Sequence, residues 1–192
     1  RDSAEGIMLF PQPGKGVVEG KQTRRAFPAH PTKPITAWGL IGAGIRAYDY
    51  MDGVQNKYGV KTVILEVDGE EVFRSTVDRF AYEENRYINS WTHGQYMKSF
   101  IEPGNRLRML QASNGNRGLV EINEERPYRF VYTLSDALGN TSKVRFTVQG
   151  QKTIIAPVEH REKYALKWDK VNYLQEPGLE LVIPKGMLYD DV

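Results

Sequence analysis

The chain contains no cysteine. That excludes a disulfide framework, a thiol nucleophile and any thiolate-ligated metal, and it leaves the compartment open. Histidine is nearly as scarce: His30, His93 and His160 are isolated in polar or Pro-rich surroundings. No two of them are spaced to meet a metal from one strand or one helical face, so the pattern of a zinc site is missing. No window approaches the roughly 20 apolar residues that a membrane helix needs. The opening RDSAEGIMLFPQPGKG holds no apolar run of signal-peptide length. No serine lies within Gly-x-Ser-x-Gly, which removes the nucleophile elbow of an esterase. A surplus of one charge is missing too: 26 Lys and Arg are interspersed with 24 acids for a net charge of +2. Nucleic acid is therefore not an expected partner.

What is present is alternation. In YRFVYTLSDALGNTSKVRFTVQG, Tyr128 to Gly150, apolar and polar residues alternate with period two on both sides of Ser135-Asp136-Ala137-Leu138-Gly139-Asn140. Period two marks a strand with one buried face, and the intervening turn formers reverse the chain, so the stretch predicts a hairpin. VKTVILEVDGEEVFRSTV predicts a second, with Val63, Leu65 and Val67 on one face and the two-residue turn Asp68-Gly69. Gly118 to Ile122 reads as a short strand. ITAWGLIGAGIRAYDYMDG spaces Ile35, Ala37, Ile41, Ile45 and Ala47 among glycines, as in strands that bend or pack closely. The Gly42-Ala43-Gly44 run precedes strand-like sequence rather than a helix, so a phosphate cradle is the weaker reading. Pro11 to Gly20 and Pro28 to Pro34 are rich in Pro and Gly and are expected as surface loops. Between Asp78 and Gly118 the periodicity weakens, allowing a short helix near Tyr82 to Asn89 or an irregular strand pair.

Several short strands separated by turn signals, in a chain of 192 residues, predict an all-β fold: an immunoglobulin-like antiparallel β-sandwich, with a barrel as the alternative. It occupies residues 1–150. Residues 151–159 read as a linker. Residues 160–192 restart an apolar rhythm at Leu179, Leu181 and Ile183, expected either as the first strands of a second β-domain or as an arm folded back on the first. Ile7-Met8-Leu9-Phe10, close behind Arg1, predicts entry at a strand with further protein before it.

Two constellations bear on chemistry. Asp49, Asp52 and Asn56 share one loop and carry oxygens suited to calcium, although Asx turn formation explains them more simply. Tyr82, Tyr87, Trp91 and Tyr96 fall within RFAYEENRYINSWTHGQYMKSF, a stretch rich in residue types that stack on sugars and anchor interfaces. In a β-domain such residues more often fill the core.

LFPQPGKGVVEGK, WGLIGAGIRAYDYMDG, NKYGVKTVILEVDGEEVF, RYINS, YMKSFIEPGNRL, INEERPY and LSDALGN, in that order, resemble the non-catalytic region that follows the peptidase domain in envelope proteins of lysostaphin-type (LytM-like) zinc metallopeptidases of Gram-negative anaerobes. LVIPKGMLYDDV similarly resembles the opening of the next β-domain in such proteins. The family's activity is hydrolysis of peptide cross-links in peptidoglycan, with zinc held by a His, an Asp and a His of a His-x-His motif. This sequence has neither His-x-His nor His-x-x-x-Asp, so no catalytic or metal residue carries over to any position. The resemblance implies a piece of a peptidase, and it allows a parent whose catalytic domain has degenerated.

The reading is an extracytoplasmic accessory domain, in periplasm or cell envelope, that is not itself an enzyme and holds no cofactor. Zinc is expected only in the absent catalytic domain. Its expected partners are its own peptidase domain and peptidoglycan or envelope proteins, with no membrane span. The alternative is a cell-wall glycan-binding module using Tyr82, Tyr87, Trp91 and Tyr96, and a third reading is a self-sufficient hydrolase. A broad apolar surface favours docking, a flat row of exposed aromatics favours glycan, and a pocket with converging His and carboxylates favours catalysis.

Overall fold

A computed structural model of the chain describes residues 2–50, 57–79, 81–159 and 164–192. The fold is all-β and sandwich-like, built from one large, curled, mostly antiparallel sheet and a separate two-stranded ribbon. The large sheet runs in the order β2 (Arg25–Pro28), β1 (Asp2–Val18), β3 (Ile35–Tyr50), β12 (Thr141–Gly150), β11 (Pro127–Ser135), β5 (Thr62–Val67), β6 (Glu70–Thr76), β9 (Leu110–Ala112). The ribbon pairs β13 (Asn172–Glu176) with β14 (Leu179–Ile183).

Both expected hairpins are present. β11 and β12 pair continuously from Pro127↔Gln149 to Ser135↔Thr141, and β5 and β6 close across Val67↔Glu70. Asp68 and Gly69 both sit at positive φ, 52° and 83°, which matches the turn's twist to that of the strands. In the other turn one carboxylate replaces several backbone bonds. Asp136 Oδ1 accepts from Leu138 N at 2.8 Å and Asn140 N at 2.9 Å, and Oδ2 accepts from Asn140 Nδ2 at 2.7 Å.

Alternation puts Tyr128, Phe130, Tyr132 and Leu134 of β11 inside, in register with Val144, Phe146 and Val148 of β12 and Val63, Leu65 and Val67 of β5. Phe130 stacks on Phe146 with centroids 5.0 Å apart. Ile7 and Leu9 of β1 and Ile35, Ile41 and Ile45 of β3 complete one core. The hub is β3. One edge is occupied by β1; the other meets four partners in turn: β12 in parallel at Ile35–Ala37, β10 (Val120–Ile122) at Gly39–Ile41, β8 (Tyr96–Lys98) at Gly44 and Ile45, and β4 (Lys57–Tyr58) at Asp49 and Tyr50.

Pro11 to Gly20 corrects the sequence reading. It is not a surface loop: β1 continues to Val18, Pro11 pairs with Ile41, and Val17 and Val18 are buried. The prolines are tolerated because the register slips between Pro11 and Gly16, so that the intervening residues bulge out of the ladder. Two glycines make this possible. A Cβ on Gly16 would fall 2.1 Å from Leu40 O, and one on Gly39, at φ +78°, would fall 2.1 Å from Lys15 O.

The weakly patterned region uses both forms it allowed. A 3-10 helix (Tyr82–Tyr87) runs into one α turn, α1 (Ile88–Trp91), and β7 (Thr92–His93) then pairs with β8. Residues 151–159 form no strand but lie along the body: Gln22 Nε2 donates to Ala156 O at 2.7 Å, and Gln151 N donates to Ala37 O at 3.1 Å. The ribbon's apolar rhythm does not build a core of its own. Leu179, Leu181 and Val182 are exposed, because two strands alone offer no second layer to cover a face. The segment after β14 instead folds back on the body. Gly104 N donates to Tyr189 O at 2.7 Å, Tyr189 Oη donates to Arg86 O at 2.5 Å, and the Tyr87 and Tyr189 rings meet edge-on at 6.0 Å.

Candidate functional site

A broad apolar concavity of about 730 Å³ opens where β3, β4 and the end of β6 converge. Its walls are Ala47 and Tyr48 of β3, Tyr58 and Val60 around β4, Val77 beyond β6, Trp91 of α1, Met97 of β8 and Ala137 of the β11–β12 turn. The backbone bond Val77 N→Lys61 O, 2.8 Å, holds two of these segments together. Trp91 presents part of its face here while its Nε1 donates to Lys98 O at 3.2 Å, so its polar edge is satisfied and its ring orientation fixed. Lys61 and Asp78 stand at the wall, exposed.

Beside this groove lies a small charged cluster. Glu5 accepts from Lys57 Nζ at 2.7 Å and from the Tyr50 hydroxyl, and Arg46 Nε lies 3.6 Å from its second oxygen. The Lys57 ammonium, followed by the Tyr50 hydroxyl, holds the Glu5 carboxyl below its usual range, and Glu5 in turn pushes the Tyr50 hydroxyl up. Lys57 also sits 4.7 Å above the Tyr48 ring. The cluster pins the first strand to β3 and β4 through Glu5.

The four aromatic residues singled out from sequence are separated by the fold. Tyr82 is 90% exposed at the start of the 3-10 helix. Tyr87 is buried under Tyr189, and its hydroxyl accepts from Arg86 at 2.7 Å. Trp91 is buried apart from its groove edge. Tyr96 is half-buried, with its hydroxyl against Gly6 and the Arg46 guanidinium 5.4 Å from its ring centre. They form no flat exposed row. Of the calcium candidates, Asp49 lies within β3, paired with Asp2 and Tyr58 in the ladder; Asp52 and Asn56 lie outside the described residues.

The histidines do not converge. His30 is exposed in the loop after β2. His93 packs edge-on against Phe10 at 6.1 Å, and burial, then the cations Arg24 and Lys98, holds its imidazole below the ordinary range. His160 lies outside the described residues. Among the described residues no group of three or more His, Cys, Asp or Glu side chains is placed to hold a metal, and no helix is long and apolar enough to cross a membrane.

Sequence reasoning reached Trp91 but missed Tyr48, Tyr58, Val77 and Met97, which come from separate segments and share no local pattern. Comparison with known proteins adds one likeness: residues 163–192 match the Zu5-like domain family. No curated protein and no solved structure matches the chain.

Proposed function

We propose that this chain is a non-catalytic accessory domain of a peptidoglycan-cleaving metallopeptidase, working in the periplasm or cell envelope, where it positions the enzyme or docks it to envelope partners. The observation that carries the docking role is the apolar groove beside Trp91, wide and walled by Tyr48, Tyr58, Val77 and Met97, which suits protein contact better than glycan stacking. The connection to a peptidase rests on the ordered series of sequence strings that resemble the region following LytM-like catalytic domains. On this reading zinc belongs to that catalytic domain.

The test joins chemistry to docking. Purified without chelator and incubated with peptidoglycan, the chain is expected to release no peptides and to carry no stoichiometric zinc. Stoichiometric zinc with cleavage abolished by replacing His30, His93 or His160 overturns the reading. Association with a LytM-like peptidase domain supplied as a separate protein, measured by calorimetry, is expected to weaken at least tenfold in Val77→Glu. Unchanged association removes the groove from the docking role.

A further inference from the structure

On the outer face of the large sheet, the strands that fill the core also build a cationic basin. Period two points Lys143, Arg145 and Thr147 of β12 outward while Val144, Phe146 and Val148 point in. The register places Arg145 opposite Val131 and Thr147 opposite Arg129, so Arg129 and Arg145 are diagonal neighbours on one face, within reach of one ligand. The loop between β2 and β3 stands over them. Pro31 and Pro34 stiffen it, and it brings Thr32 and Lys33 to the rim of a concavity of about 530 Å³ floored by β11 and β12.

Lys33, Arg129 and Arg145 all line this basin and no acidic residue does. None of the three forms an ion pair among the described residues. Two acids adjoin the basin without lining it. Glu66 of β5, opposite Val131, shares the outer face and is a diagonal neighbour of Arg129, and Asp68 is held by Arg126 at 2.9 Å and by the Arg129 backbone N–H at 2.9 Å. Three cations without a direct ion pair around one hollow repel each other, and an anion that bridges them relieves that repulsion. Two guanidinium forks flanked by the Thr32 and Thr147 hydroxyls offer directed donors as well as charge.

We propose that this basin binds an oxyanion group, carboxylate or phosphate, with Arg129 and Arg145 as its forks and Lys33 as the rim cation. The site is separate from the Trp91 groove and does not depend on the accessory-domain reading.

The experiment is a heteronuclear NMR titration of the intact chain at low ionic strength, with inorganic phosphate in one arm and N-acetylglutamate in the other. Saturable shifts confined to residues 31–34, 129–131 and 145–147 are expected in at least one arm, and the arm that responds names the oxyanion. Affinity should fall at least tenfold in the Arg129→Gln/Arg145→Gln pair and decline as salt screens the charges. Lys33→Gln, which leaves the sheet untouched, should weaken binding as well and guards against a folding artefact in the pair. Absence of saturable shifts in both arms, shifts centred elsewhere, or affinity indifferent to all three substitutions overturns the proposal.

Discussion

The Tyr132 and Ser99 hydroxyls lie 2.7 Å apart with both side chains buried, so the segment leaving β8 is fastened to the centre of β11 by one hydrogen bond inside the core. Ser99 N also donates to Ala43 O at 2.7 Å, which ties the same point to β3. Burial pushes the Tyr132 hydroxyl's ionisation well up, so it stays a neutral donor and acceptor throughout the working pH range.

Tyr132→Phe should therefore cost about 1–2 kcal/mol, because it strands the Ser99 hydroxyl without a partner. Ser99→Ala should cost a similar amount, and the double variant less than the two together. Chemical denaturation of the four proteins checks this; strict additivity shows that the bond contributes nothing.

Phe130 is 1% exposed and stacked on Phe146. Phe130→Ala should destabilise by about 3–5 kcal/mol through lost apolar contact and the cavity left behind. The urea midpoint is expected to fall with little change in slope. A midpoint equal to that of the wild type contradicts the assigned face of β11.

The Asp136 turn carries a pH signature. The Asn140 side-chain amide, followed by the Asn140 and Leu138 backbone N–H groups, outweighs burial and holds its carboxyl below the usual range. A carboxyl whose folded value is depressed contributes stability that is present above its unfolded value and lost as pH falls through the folded one. Acid should therefore loosen the β11–β12 turn below the ordinary aspartate range. Asp136→Asn should flatten that part of the stability–pH curve; a curve of unchanged shape assigns the acid sensitivity elsewhere.

Gly104 tests the docking of the chain's last segment. A Cβ there would meet Leu188 O at 2.7 Å and Tyr189 Cα at 2.9 Å, backbone atoms that cannot rotate away. The nearest obstacles all belong to that segment, so Gly104→Ala should release it and leave the large sheet intact. Hydrogen exchange across residues 164–192 should accelerate roughly tenfold or more while β11 and β12 keep their protection. Equal exchange in both proteins shows that the contact does not hold the segment.

How far the sequence foretold this differs from place to place. β5, β6, β11 and β12 were legible because each buries one face and is joined to its neighbour by a short turn, so both signals are local. The far reach of β1 was hidden because Pro11, Pro13, Gly14 and Gly16 spell a loop, and only the opposing glycine at position 39 converts them into a bulge. The Tyr189 clasp left no local mark, since it pairs a tail residue with Gly104 and Arg86. The groove and the cationic basin are equally non-local. Arg129 and Arg145 read from sequence as ordinary outward charges, and register with the Pro31–Pro34 loop overhead makes them neighbours.

Because β3 holds β1 on one edge and on the other takes β12 in parallel, with Ile35 against Val148, its first residues pair with a strand more than a hundred residues further along the chain. Closing so long a loop is entropically slow, and contacts of high sequence separation delay the folding barrier's crossing. During synthesis β1 and β3 emerge long before β12, so Ile35, Ile41 and Ile45 stay without their full cover until residues 141–150 arrive. Refolding should accordingly be slow for a domain of this size, and the glycine-rich middle of β3 is where an unfinished chain presents its most adhesive edge.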